Sequence, residues 1–279
     1  MIATSSKKYL QANYRPRMER IHYLPEEIIT DILSRLPVKS LLRFKSISQS
    51  WRSLISSQSF IKTHLETSTK NPAFAHHSMV SIIVNTRNNY ELQHCSLRSF
   101  LFKAVIYASH SDFSIDISIR SVRLIGCCNG LVCILINRKD FFLWNPSTRE
   151  SKKLPDIDSG MSSDQILQHG FGFDESGGSW TRMNNHLDDG YIVGTETGTF
   201  VSGNLHWTKT KKELNWQLYI SSLDLKNEVY GIVEQPSILD YYFEVTLGVF
   251  DGCLWAFYHY LHHGYGDLWV LKQYGVKDS

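Results

Sequence analysis

The chain has 279 residues and a formal charge of +2, a near-neutral balance that offers no general attraction for polyanions. Nowhere do 18 apolar residues run together, so no transmembrane helix is expected. The five cysteines are odd in number and three of them crowd at Cys127, Cys128 and Cys133. That is poor material for a disulfide framework and suits a reducing cytoplasmic or nuclear compartment.

In chain order, residues 1–21 come first. Lys7, Lys8, Arg15, Arg17 and Arg20 face only Glu19, without apolar periodicity, which predicts a flexible basic arm. The stretch holds no apolar run of the kind a secretory signal needs. A helical module is expected over 22–66. Leu24, Ile28, Ile29, Ile32, Leu33 and Leu36 fall on one helix face, and Pro37 breaks the chain. A second apolar set follows at Val38, Leu41, Leu42, Phe44, Ile47 and Trp51. Pro25 suits a first helical turn, and Glu26, Glu27 and Asp31 early with Arg35 late suit the helix dipole. A unit this small encloses little core of its own, so part of its apolar surface is expected to meet a second protein. Lys39, Arg43, Lys45 and Arg52 read as a wet basic face; no aromatic stacking platform accompanies them, so nucleic acid is not an expected partner.

Beyond Glu66 the composition predicts a polar linker to Pro72, and 67–98 is expected to hold that linker and the first strands. A β domain is then expected over 99–279. Apolar runs at Met79–Val84, Phe100–Tyr107, Leu131–Ile136, Asp140–Trp144, Gln217–Leu225, Val245–Phe250 and Leu268–Leu271 alternate with turn residues every 8–12 positions or so. A weak repeat runs through them. Asn129-Gly130, Gly203-Asn204 and Asp251-Gly252 each precede an apolar strand, and a second strand ending in a polar turn comes next. Hairpins at near-constant spacing predict blades packed side by side, as in a propeller.

The residues that carry the helical pattern also resemble a known family. Leu24-Pro25, Ile28, Ile32-Leu33, Leu36-Pro37, Leu41-Leu42, Ile47 and Trp51, continuing through Phe60 and Leu65, are similar to an F-box. Ser46 and Gln49 depart from it, since plant members usually show cysteine and lysine there. The segments Gly126–Val132, Leu143–Arg149, Gly170–Asp174 and Gly203–Trp207 resemble, in the same order, the F-box-associated domain of plant F-box proteins, including S-locus and F-box/kelch-repeat members. The resemblance implies an α+β, multi-domain chain: a helical F-box followed by an antiparallel, propeller-like domain that looks incomplete. Two departures suggest shortening: Gly178 leads straight to Ser179-Trp180-Thr181-Arg182, and the chain stops at Tyr274–Ser279. It also implies a non-catalytic substrate adaptor of a Skp1–cullin–F-box ubiquitin ligase, with Leu24, Pro25, Ile28, Ile32, Leu33, Leu36, Pro37, Leu41, Leu42, Ile47 and Trp51 as the Skp1-binding set. Some of these must instead close the module's small core. Cullin-1 is implied through Skp1, and a target protein through the β domain. Other readings are a shortened interaction protein that binds Skp1 without capturing a target, a β domain that is itself an enzyme or glycan binder, and a self-incompatibility protein recognising ribonucleases.

No cofactor, metal or membrane partner is expected. Cys127, Cys128 and Cys133 match no paired metal-ligand spacing and read as strand thiols. His76-His77 and His262-His263 are adjacent pairs whose side chains diverge in extended chain. No nucleophile elbow is present, and Gly170-x-Gly172 lacks the strand and helix setting of a phosphate cradle. Asp156, Asp158, Asp188 and Asp189 read as loop acids. Nothing in the loops names the target.

Overall fold

The computed structural model describes residues 24–71, 77–84, 90–102, 109–110, 119, 121–155, 168–173, 191–211, 217–233, 235, 243–260 and 264–273. The basic arm, Asp156, Asp158, Asp188 and Asp189, His76 and His262-His263, Ser179–Arg182 and 274–279 lie outside these residues.

Four helices open the fold: α1 (Glu26–Ser34), α2 (Val38–Phe44), α3 (Gln49–Ser56) and α4 (Gln58–Lys70). Pro25 and Pro37 stand at the N-caps of α1 and α2, just ahead of the first turn, where a missing N–H breaks no ladder. The apolar set at 38–51 forms two helices rather than one. Ser48 ends the intervening turn, and its hydroxyl accepts from the Trp51 N–H at 3.2 Å, capping α3. Ser57 does the same for α4 through Phe60. Helix α4 continues to Lys70, where polar composition predicted linker; its Lys70–Glu66 pair sits at the i, i+4 spacing that supports a helix. Leu33, Leu41, Ile55 and Phe60 form the module's core, with Ile29, Leu36, Phe44, Trp51 and Leu54 around them. Phe44 and Trp51 meet edge to face at 5.5 Å. His64 on α4 donates from Nε2 to the Leu36 carbonyl at 2.9 Å, tying α4 to the chain beyond α1.

Antiparallel sheets follow. The first holds β1 (Ser78–Val84), β2 (Tyr90–Ser96) and β3 (Ser109–His110). Helix α5 (Leu97–Phe102) packs on it where the apolar run from Phe100 predicted a strand; residues 103–107 of that run are outside the described set. Next come β4 (Val122–Cys128), β5 (Leu131–Ile136), β6 (Asp140–Asn145) and β7 (Glu150–Lys153), paired in chain order. The third sheet holds β8 (Tyr191–Val193), β9 (Thr199–Val201), β10 (Asn204–Lys211), β11 (Gln217–Asp224) and β12 (Val229–Val233), with β8 and β9 sharing one edge of β10. The last holds β13 (Phe243–Phe250), β14 (Cys253–Tyr260) and β15 (Tyr265–Leu271). Strand β4 lies beside β1 and β9, and β9 lies beside β13. An early strand of each sheet thus neighbours that of the next, the arrangement of propeller blades, and among the described residues no sheet closes on itself.

The weak repeat in the sequence is a structural one. Asn129-Gly130, Ser202-Gly203 and Asp251-Gly252 are two-residue turns with φ near +50° and then +73° to +78°. Positive φ at both positions is the type I′ turn, whose twist matches paired strands. After β6 and β11 a second turn recurs. Asn145 accepts from the Ser147 and Thr148 N–H groups, and Asp224 from Lys226 and Asn227. Each closes on a left-handed residue, Arg149 and Glu228.

Residues 168–173 explain how the second and third sheets stay together. Phe171 buries its ring with Ile125, Cys133 and Leu135 of the second sheet. Gly170 lies so near the third that a Cβ would stand 2.8–2.9 Å from Leu205 and Trp207; at Gly172 one would collide with Phe200 and Leu225. Alternating glycine and phenylalanine gives this extended segment a flat face and a bulky one. Its backbone is held by the Gly198 N–H and the Trp207 Nε1–H, both donating to the His169 carbonyl. The Arg123–Glu196 ion pair joins the same two sheets.

Candidate functional site

Helix α1 carries the most distinctive surface. Ile28 and Ile32 stand four residues apart and so align on one side of α1, and Leu24 lies just ahead of the helix. Leu24, Ile28 and Ile32 are 56%, 47% and 48% exposed, while Leu33, one position on, is 1% exposed in the core. Pro25, between Leu24 and the first turn of α1, is exposed as well. Leu42 at the end of α2 and Ile47 in the following turn are also exposed. Leu36, Pro37 and Trp51 are half-buried, and Leu36 and Trp51 pack against the core. Leu41 is buried within it. The expected docking set thus divides into an exposed stripe (Leu24, Pro25, Ile28, Ile32, Leu42, Ile47), a half-buried shoulder (Leu36, Pro37, Trp51) and two core leucines (Leu33, Leu41). Ile61 on α4 is a further exposed apolar residue that the sequence reading passed over. Its neighbour Phe60 is buried, and only the register of α4 tells the two apart.

Charge frames this surface without dominating it. Asp31 takes a two-pronged hydrogen bond from Arg35 at 2.7 Å; both are half exposed, so solvent screens the pair and it contributes little. Glu26, Glu27 and Asp31 line an open groove of about 500 Å³ with Thr30, Thr63 and Thr67, between α1 and α4.

Titratable groups in the β sheets have structural surroundings. His206 is fully buried, its Nδ1–H donates to the Thr199 carbonyl at 3.1 Å, and burial drags its pKa down to about 4. Burial, then the Arg123 and Arg138 charges, lowers that of His169, whose ring meets Phe141 edge to face. Of the crowded cysteines, Cys133 is buried and its thiol is pushed up to about 12 by desolvation. Cys128 is half-buried and pushed up to about 11, by burial and then by Cys127, which is exposed. Thiols held protonated at neutral pH pack as small apolar groups rather than act as nucleophiles. No helix among the described residues is long and apolar enough to cross a membrane.

Comparison with known proteins places both halves of the chain. An F-box domain matches residues 21–63, which contain α1 to α3 and the start of α4. An F-box/kelch-repeat protein of Arabidopsis thaliana is 30% identical over 292 residues, covering 91% of this chain and 77% of the relative. Two further F-box proteins of that plant are 26% and 25% identical, one over 92% of this chain and 70% of the relative, the other, CPR1, over 92% and 71%. The exposed stripe therefore lies in the matched domain, and the likeness continues through the four sheets. This chain belongs to the plant F-box proteins, with an F-box module followed by a β domain, a family whose general role is that of substrate adaptor in Skp1–cullin–F-box ubiquitin ligases.

Proposed function

We propose that the chain docks onto a Skp1-type adaptor through Leu24, Pro25, Ile28, Ile32, Leu42 and Ile47, with Leu36, Pro37 and Trp51 as the half-buried shoulder. Leu33 and Leu41 contribute indirectly, by holding the helices that present this face. One observation carries the reading: the module's core is already closed, and a stripe of large aliphatic side chains is left outside it. Its members gain about 1.5–3 kcal/mol each on full burial, which a partner supplies and water does not. Through Skp1 the chain joins cullin-1, in the cytoplasm or nucleus, and the β domain holds a target protein. The chain makes and breaks no bonds itself. It raises the effective concentration of a target lysine beside a ubiquitin-charged enzyme. The helical module of 22–66 and the β domain of 99–279 are read as separate units in this division of labour.

Co-purification of Skp1 with variants tests the proposal. Ile28→Lys combined with Ile32→Lys places two charges on the exposed stripe and is expected to weaken Skp1 binding about 30-fold or more, as at other interface hot spots. Its helical circular dichroism is expected to match wild type, because neither residue is in the core. Undiminished Skp1 binding by that variant would refute the assignment of this face.

A further inference from the structure

Docking accounts for the aliphatic side chains of the helical module and leaves its cations without a role. Lys39, Arg43, Lys45 and Arg52 follow one another through α2, the turn after it and α3, and from Leu36 to Leu65 the sequence holds no aspartate or glutamate. Among the described residues no carboxylate pairs with any of the four. Three of them meet at one turn. Arg43 stands in the last turn of α2 and Lys45 is the C-cap of that helix. Arg52 comes from α3, but its Nε–H donates to the Lys45 carbonyl at 3.3 Å, which holds its guanidinium beside the peptide joining Lys45 to Ser46. Like charges gathered this way repel one another until an anion lies among them.

Ser46 lies in the middle of this group. It is exposed, one residue past the α2 cap, and its hydroxyl donates to the Arg43 carbonyl at 2.6 Å. Neighbouring serines are tied into helices. Ser48 and Ser57 cap α3 and α4, the Ser50 and Ser59 hydroxyls meet those caps, and Ser53 is inside α3. Ser46 sits in a turn instead. The chain there can straighten into an enzyme cleft by giving up the bonds from the Ser46 N–H to the Arg43 carbonyl and from the Ile47 N–H to the Phe44 carbonyl. Arg43 stands three residues ahead of it and Lys45 directly ahead. Charge patterns of this kind around a hydroxyl are what protein kinases use to choose substrates.

We propose that Ser46 is a phosphorylation site for a kinase that selects basic residues ahead of its acceptor, and that Arg43, Lys45 and Arg52 hold the phosphate once it is attached. The step is a phosphoryl transfer from ATP. The Ser46 Oγ forms a bond to the γ-phosphorus, and the bond from that phosphorus to the oxygen it shares with the β-phosphate breaks. ADP leaves with the electron pair, and the hydroxyl proton passes to the base of the kinase. The product carries a charge of about −2. The carbonyl end of α2 repels that charge, and three cations with N–H donors outweigh the repulsion. Ile47, next in sequence and 61% exposed, belongs to the docking stripe. A hydrated dianion beside it must shed water when that surface is covered, so phosphorylation releases the chain from its adaptor. The site stands on the turn alone; its effect on docking rests on the Skp1 reading.

The full chain is incubated with ATP and the catalytic subunit of a cyclic-AMP-dependent protein kinase, which reads arginine ahead of serine, and the product is located by peptide mass mapping. Phosphate is expected at Ser46. It is expected to be absent there in Ser46→Ala and to be acquired about tenfold or more slowly by Arg43→Gln, which loses one charge-assisted contact to the kinase. Phosphate on Ser48, Ser50 or Ser53 in place of Ser46, or none at all, overturns the proposal. Phosphorus NMR then reads the cations around the product. The second ionisation of phosphoserine, ordinarily near pH ~6, is expected to move down in the phosphorylated chain and to return upward in Arg52→Gln. A midpoint that Arg52→Gln leaves unmoved overturns the assignment of the phosphate to this turn. Capture of a Skp1-type adaptor by the phosphorylated chain is expected to fall about tenfold or more, and undiminished capture overturns the switch. If the unmodified chain captures no Skp1, the adaptor reading fails, and incorporation at Ser46 decides the site by itself.

Discussion

His206 shows how a polar residue is kept inside a sheet. It is fully buried, and its Nδ1–H meets the Thr199 carbonyl on the neighbouring strand, so it enters the folded state neutral. Burial lowers its folded pKa to about 4, against 6.5 for the free side chain. Between those values the unfolded chain binds a proton that the folded chain refuses, so stability is complete above pH 6.5 and falls as pH drops towards 4. The loss is on the order of 3 kcal/mol over that window. Urea denaturation at pH 7 and pH 5 is expected to show this decline in wild type, and a shallower one in His206→Asn, which keeps a donor for Thr199 without the titration. Sequence reading placed Gly203-Asn204-Leu205-His206-Trp207 at a turn and strand but gave His206 no role, because burial depends on what packs over β10. Gly248 makes the same point with size: any Cβ there would collide with the Trp255 ring that lies over it from the neighbouring strand. The pair is invisible in one strand read alone.

At the scale of elements, turns were more legible than helix ends. Gly130, Gly203 and Gly252 stood out because each precedes an apolar strand, and each adopts positive φ at the second position of a type I′ turn. Gly252→Ala is therefore expected to cost about 1 kcal/mol despite open space around the site, read as a lower thermal midpoint. The break between α2 and α3 was missed because Ile47 and Trp51 fit a continued apolar set. Ser48 decides otherwise, since its hydroxyl accepts from the Trp51 N–H, one of the first free N–H groups of a new helix. Strand β2 carried no sequence signal: Tyr-Glu-Leu-Gln-His-Cys-Ser alternates too weakly to announce itself. It is a strand because Leu92 enters the core between the first two sheets.

For the molecule as a whole, the joint between the second and third sheets is the informative feature. An ion pair and a packed segment both cross it. Arg123 and Glu196 are each over a third exposed, so their attraction is screened, and Arg123→Ala is expected to change stability by no more than about 1 kcal/mol. Phe171→Ala empties a buried ring site among Ile125, Cys133 and Leu135 and is expected to cost about 3–5 kcal/mol. Parallel denaturation of the two variants checks the order; equal effects would contradict it.

The sequence by itself determined the local vocabulary of this protein: proline-bounded helices, glycine turns, apolar strands and a helical module whose spacing resembles an F-box. These depend on φ preferences and on side-chain period, which a chain carries wherever it folds. Only the tertiary structure decided which of the spaced aliphatics are spent on the core and which remain outside, sending Leu33 and Leu41 inward and leaving Leu24, Ile28 and Ile32 on the surface. It also decided that Gly170 and Gly172 serve close packing. Both outcomes turn on which surfaces meet, and no residue carries that information alone.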